Sequence, residues 1–252
     1  MRAAPSTGRH PPAPPAALAL ALAVLALVMA PAAGAASLET APTTIELAPG
    51  SRAGVLYVSN RGDRPLAFQV EAFDWSQDGG GDRLTPSISL EVSPPIAELA
   101  PGGTQIVRLR ASPRAGGASE RAYRLVVSEL PPPGGGQEQQ VRVLLQFNMP
   151  VFERAPSGGR AALAWDAVLN GDRLVLTATN SGARRSKFTD AQLVAAAAGR
   201  RAVAGGPVYV LAGASRVWTA PAAGLKPGDS VAIESRDGDS GKLIAASVVI
   251  RP

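Results

Sequence analysis

Short runs of alternating apolar and polar residues, each broken by Pro, Gly or Asn, recur along this chain and constrain its fold more than any other feature. Val55-Leu56-Tyr57-Val58, Leu66-Ala67-Phe68-Gln69-Val70, Ile88-Ser89-Leu90-Glu91-Val92, Gln105-Ile106-Val107-Arg108-Leu109 and Tyr123-Arg124-Leu125-Val126-Val127 each place residues of one kind on one face of a strand. Their spacing is that of a β-sandwich. Three turns share one form: Leu47-Ala48-Pro49-Gly50, Leu99-Ala100-Pro101-Gly102 and Leu225-Lys226-Pro227-Gly228. Pro presets φ at the second turn position and Gly accepts positive φ at the third, so each predicts a reversal into a strand. The fold class is all-β.

A second correspondence divides the chain in two. Val58-Ser59-Asn60-Arg61-Gly62 has a counterpart in Ala178-Thr179-Asn180-Ser181-Gly182, which reads as the same strand-to-strand corner in two related sandwiches. The break falls near Ala155-Pro156-Ser157-Gly158-Gly159, where Pro and Gly interrupt the apolar pattern. Domains over residues 36–156 and 157–252 are expected, with new strands at Ala162-Leu163-Ala164-Trp165 and Leu174-Val175-Leu176-Thr177. The run from Leu193 to Ala198 fits a strand or a short helix equally.

The amino end carries Arg2 and Arg9, an apolar run from Ala16 to Ala30, and the small-residue site Ala33-Gly34-Ala35. That order predicts a secretory signal peptide over residues 1–35, with an uncleaved anchor as the alternative. The run is short for a bilayer span of about 20 residues, so no stable membrane insertion is expected. Cysteine is absent, and the single histidine, His10, leaves with the leader. The mature chain therefore has no thiolate or imidazole for a triad or a metal site. No Gly-x-Ser-x-Gly elbow occurs, and neither enzyme activity nor a cofactor or metal is expected. Asp78-Gly79-Gly80-Gly81-Asp82 and Asp237-Gly238-Asp239 are too short for a calcium loop and read as hairpin turns.

The formal charge of +5 falls to +3 without Arg2 and Arg9, 23 basic residues standing against 20 acidic ones. Arg184-Arg185-Ser186-Lys187, the dense basic cluster, has no interleaved aromatics and reads as a solvated turn rather than a nucleic-acid site. Trp75, Trp165 and Trp218 are expected in core or cleft packing.

One segment stands apart. From Val141 to Val151 the odd positions are Val141, Val143, Leu145, Phe147, Met149 and Val151, while Arg142, Gln146 and Asn148 hold even ones, with Leu144 the apolar exception. In a strand all six would share a face. Composition fits an ordinary half-buried strand; the sharper reading is that this face fills a groove in another protein.

The order Leu47-Ala48-Pro49-Gly50, Val58-Ser59-Asn60, Gln69-Val70-Glu71-Ala72 with Trp75-Ser76-Gln77, Ser93-Pro94-Pro95, Leu99-Ala100-Pro101-Gly102, and Tyr123-Arg124-Leu125 with Glu129-Leu130-Pro131-Pro132 resembles the periplasmic chaperones of the chaperone–usher pilus pathway. Pro150-Val151-Phe152 and Tyr209-Val210-Leu211-Ala212-Gly213 with Arg216-Val217-Trp218 extend the likeness over essentially the whole mature chain. The resemblance implies two immunoglobulin-like sandwiches in a boomerang arrangement, working in the periplasm. It implies pilus subunits as partners, bound when the chaperone's last first-domain strand completes their unfinished sandwich, and an outer-membrane usher that receives them. No nucleic acid is implied. The donor residues would be Val141, Val143, Leu145, Phe147 and Met149. Burying them offers on the order of 10 kcal/mol, against an association cost of roughly 4–15 kcal/mol.

The departures are informative. Well-studied members grip the subunit's terminal carboxylate with two basic residues, where this chain has Pro42 and Pro150. That combination resembles the archaic branch, which serves subunits similar to spore-coat-U proteins. Arg124 is the candidate substitute anchor, with Arg142 and Arg154 behind it. The alternative function is a secreted immunoglobulin-like structural or adhesive surface protein; a secreted hydrolase with a carboxylate pair at Glu71 and Asp74 ranks below it.

Overall fold

The structure, a computed structural model, describes residues 38–113, 117–132, 143–155, 158–196 and 199–252. Val141, Arg142 and the expected signal peptide lie outside the described residues. The first sandwich holds β1 (Leu38–Ala41), β2 (Ile45–Leu47), β3 (Ala53–Asn60), β4 (Leu66–Gln77), β5 (Asp82–Pro86), β6 (Leu90–Ser93), β7 (Ile96–Leu99), β8 (Thr104–Ala111), β9 (Arg121–Leu130) and β10 (Gln146–Glu153). One sheet runs β1-β3-β8-β6 and the other β2-β10-β9-β4-β5, with β7 pairing β4. Between them Leu56, Phe68, Val107 and Leu125 are fully enclosed.

The second sandwich holds β11 (Leu163–Asn170), β12 (Arg173–Asn180), β13 (Ser186–Ala195), β14 (Gly199–Ala204), β15 (Val208–Val210), β16 (Ser215–Pro221), β17 (Ser230–Asp237) and β18 (Leu243–Arg251). Its strands run β14-β13-β17-β18-β11-β12-β16, with β15 on β13. Of the ambiguous run, Leu193 to Ala195 end β13 as strand, and residues 197 and 198 lie outside the described residues. All described secondary structure is β.

The turns form for the stated reason. Gly50, Gly102 and Gly228 have φ of 78°, 72° and 91°. In each turn the N–H of the fourth residue donates to the C=O of the first, from Ser51 to Ala48 at 2.8 Å, Gly103 to Ala100 at 2.9 Å and Asp229 to Lys226 at 3.1 Å.

The Asn60 and Asn180 corners are the same device built twice. Asn60 Nδ2 donates to the carbonyl of Arg64 at 2.7 Å while its Oδ1 accepts the Gly62 N–H at 2.9 Å. Asn180 does the same with Arg184 at 2.8 Å and Gly182 at 3.0 Å. Both side chains are wholly buried, where an unpaired amide would be costly. The Gly102 N–H donates to the Asn60 carbonyl at 3.0 Å, and Gly213 takes the same place on Asn180 at 2.9 Å.

One strand start differs from the expectation. Ile88 and Ser89 lie outside β6, and Ile88 is 95% exposed. The hydroxyls of Ser87 and Ser89 donate to Asp74 Oδ1 at 2.8 and 2.9 Å, and Ser87 Oγ accepts the Leu90 N–H at 3.0 Å. These side-chain bonds compete with the ladder and delay the strand to Leu90. The peptide bonds Ala41–Pro42 and Ser93–Pro94 are cis.

Candidate functional site: an open strand flank and its cleft

β10 is paired along one side only for most of its length. It runs antiparallel to β9 from Gln146 opposite Ser128 to Glu153 opposite Arg121. On its other side β2 joins in parallel at Val151, Phe152 and Glu153 alone. From Gln146 to Pro150 that flank meets no strand among the described residues. The chain enters through Leu145, whose carbonyl accepts the Glu129 N–H at 2.8 Å.

Burial grades along the alternating face. Val143 is 71% exposed, Leu145 and Phe147 are half-buried against the first core, and Met149 is 4% exposed. Val151 is enclosed completely. The face is thus shared: its carboxyl end belongs to the home core, and its amino end is open. On the opposite face Gln146 and Asn148 are exposed, whereas Pro150 and Phe152 are buried.

The open flank ends at a cleft of about 320 Å³ lined by Thr43, Thr44, Arg124, Asn148, Pro150, Lys187 and Tyr209. Arg124 sits on β9 directly opposite Pro150, on the same face. Its guanidinium lies 3.7 Å from the centre of the Trp75 ring and 5.9 Å from that of Tyr209. Among the described residues no carboxylate is within ion-pair distance of it. Burial draws the Arg124 pKa down; Asp82 and Tyr209 partly offset this, and Arg216 adds to it. The cation is therefore partly desolvated, held flat by an aromatic, and open to an anion. Pro42 directly precedes the cleft residues Thr43 and Thr44. Arg154 is committed elsewhere, its Nε lying 3.2 Å from Glu46 Oε2.

The cleft is bounded by side chains of both sandwiches. Trp75, Phe152 and Tyr209 form a triangle with ring centres 5.5–5.8 Å apart, and Leu211 closes it. Gln77 Nε2 donates to the Tyr209 carbonyl and its Oε1 accepts the Leu211 N–H, both at 2.9 Å. Arg216 meets Asp82 at 3.1 Å.

The basic cluster is not a solvated turn. The Arg185 side chain is 3% exposed and pairs with Glu46 and with Glu120, the latter at 2.6 Å from Nη1, while its guanidinium covers the Phe152 ring at 3.6 Å. Carboxylates and an aromatic from distant parts of the sequence draw it inside. For Glu46, burial is the largest influence and pushes upward, but Arg185, Arg154 and Arg184 together hold its pKa below the ordinary value. Glu120 is more deeply enclosed, so burial prevails over Arg185 and its pKa is raised.

Lys187, whose Nζ lies 6.0 Å from the Tyr209 ring centre, is a second cation of the cleft that sequence reasoning missed. Its signal was the basic cluster itself, read in isolation. Glu71 and Asp74 make no carboxylate pair: Asp74 binds two serines, and odd and even positions of β4 face opposite ways. Trp165 and Trp218 pack with Phe188 in the second sandwich. The two Asp-Gly segments connect hairpins, with Asp237 Oδ1 accepting the Ser240 N–H at 2.6 Å.

Two immunoglobulin-like sandwiches, joined through an aromatic and ionic contact and leaving the β10 flank open beside a cationic cleft, share the fold of two-domain assembly chaperones. Residues 37–158 match the family model of the pili and flagellar-assembly chaperones, PapD N-terminal domain. Its fold is similar to a chain of the CsuC–CsuE chaperone–tip adhesion subunit pre-assembly complex from archaic chaperone-usher Csu pili of Acinetobacter baumannii, at 17% identity and a TM-score of 0.66, over 86% of this chain and 100% of that one. The E. coli chaperone DraB matches at 19% identity and 0.57, over 84% and 96%. A chain of the Salmonella enterica SafA pilin complex with the SafB chaperone matches at 15% and 0.59, over 85% and 96%. None of the curated proteins matches the chain in sequence.

Proposed function

We propose that this chain is a periplasmic chaperone that captures pilus subunits by lending the open flank of β10 to their sheets, and then passes them to an outer-membrane usher. The working modules are residues 36–156, which carry the donor strand, and 157–252. The observation that carries the reading is the flank from Gln146 to Pro150, unpaired among the described residues, with apolar residues exposed at its amino end and Arg124 at its carboxyl end. Added main-chain bonds supply affinity in this mode, and alternate side chains supply selectivity.

The donor residues divide by burial. Val143, Leu145 and Phe147 retain surface to give, and Val141 precedes them outside the described residues; Met149 is already spent on the home core. Three large side chains supply about 6 kcal/mol at most, within an association cost of roughly 4–15 kcal/mol. The strand ladder and an ionic anchor must provide the remainder. Arg124 would receive a terminal carboxylate, which a guanidinium binds through two parallel hydrogen bonds, and its sharing of the cleft with Lys187 supports this role. The lack of basic residues at Pro42 and Pro150, and the likeness to an archaic-pilus complex, favour a subunit of the archaic, spore-coat-U-like kind.

The test is co-expression with neighbouring secreted β proteins, followed by affinity recovery and mass spectrometry of the complex. A stoichiometric pilin-like subunit is expected in the periplasmic fraction. Recovery of the chain alone, or its presence on the cell surface, would favour a structural or adhesive role instead.

A further inference from the structure

The second sandwich leaves a flank open at the same topological place. β18 pairs antiparallel with β17 from Leu243 opposite Arg236 to Val249 opposite Ser230. On its other side β11 joins in parallel only at Ile250 and Arg251. The main chain from Leu243 to Val249 is therefore unpaired on that side among the described residues. Leu243 is 63% exposed, Val249 57% and Ile244 38%.

This flank lacks the devices that protect sheet edges from pairing. β5 is short and carries Asp82, Arg83 and Pro86; β6 has Glu91; β14 has Arg200 and Arg201; β16 has Arg216 and Pro221. From Leu243 to Ile250, by contrast, there is no charge, proline or glycine.

We infer that β18 is a self-complementary edge through which two copies of this chain pair antiparallel about Ala246. That register sets Leu243 opposite Val249, Ile244 opposite Val248 and Ala245 opposite Ser247 of the second copy, covering the three exposed apolar side chains. The length fits at both ends. The incoming strand begins at Leu243, after the turn Gly238–Lys242, and so stops opposite Val249, one residue before β11 takes over the flank. The nearest cation beyond it, Arg251, is already matched, its Nε donating to Asp166 at 2.9 Å. Such a contact is isologous and closes at two copies. It is separate from β10 and makes no use of the subunit site.

The test is sedimentation velocity of the mature chain over a wide concentration range. Association toward twice the monomer mass is expected, and it should be lost when Ala245→Lys and Ser247→Lys are combined, since the register sets these lysines against each other. The matching double Glu variant should also be monomeric, and an equimolar mixture of the two should form a heterodimer, which a merely damaged fold would not do. A chain that stays monomeric throughout overturns the inference. So does a dimer that survives both double variants or disappears instead with Val143→Asp, since that dimer would belong to another edge.

Discussion

Arg185 is a single guanidinium shared by two carboxylates of the first sandwich and one aromatic ring. Removing it strands buried negative charge, a loss of about 3–5 kcal/mol by the behaviour of buried pairs. Arg185→Ala should therefore lower the denaturation midpoint of the purified protein sharply, whereas Arg61→Ala, in an exposed pair with Glu39, should change it little. The pH dependence has a definite sign. Glu46 is held below its ordinary pKa in the fold, so its contribution is full at neutral pH and lost as pH falls through that lowered value. The gap in thermal stability between the wild type and Glu46→Gln should be widest near neutrality and close in acid; a gap independent of pH would contradict the pairing. Arg124→Ala should weaken subunit recovery without loss of solubility, and undiminished recovery would move the anchor elsewhere. Arg124 could be named as a candidate from the Tyr123-Arg124-Leu125 strand pattern alone, whereas its place opposite Pro150 is a matter of register. Lys187 and Arg185 could not, since Tyr209 and Phe152, which receive them, are remote in sequence.

Individual strands were the most legible level. Period two and the Leu-x-Pro-Gly turns located most of them, because hairpin chemistry is local. The start of β6 was misplaced, because two serine hydroxyls and Asp74 override the alternation without altering it. The alternating face from Val143 to Val151 shows a limit of another kind. Alternation assigns Val143 through Met149 to one side, but how much of that side belongs to the home core depends on where β2 stops, a tertiary matter. Replacing Leu145 and Phe147 by Asp would consequently damage the fold as well as capture, because both rest on the first core. Val143→Asp separates the two effects: at 71% exposure it should leave the melting temperature almost unchanged while reducing subunit recovery several-fold. Intact recovery would remove Val143 from the donor set.

At the level of the whole molecule, the two sandwiches are coupled through β4. This strand starts among Leu66, Phe68 and Val70 of the first core and ends with Trp75 and Gln77, which contact Tyr209 and Leu211 of the second sandwich. Calorimetry of the wild type should show one cooperative transition, and the combination of Gln77→Ala with Arg185→Ala should resolve it into two. A single transition in the double variant would mean that the aromatic triangle alone suffices.

The burial of Trp75 beneath Arg124 makes the molecule its own optical gauge. The other two indoles, Trp165 and Trp218, pack against each other in the second sandwich with ring centres 5.6 Å apart. With both changed to Phe, emission comes from one ring whose neighbouring cation is the group assigned to seize an anion, so cargo arriving at the cleft would announce itself as a change in colour or brightness, with no dye attached.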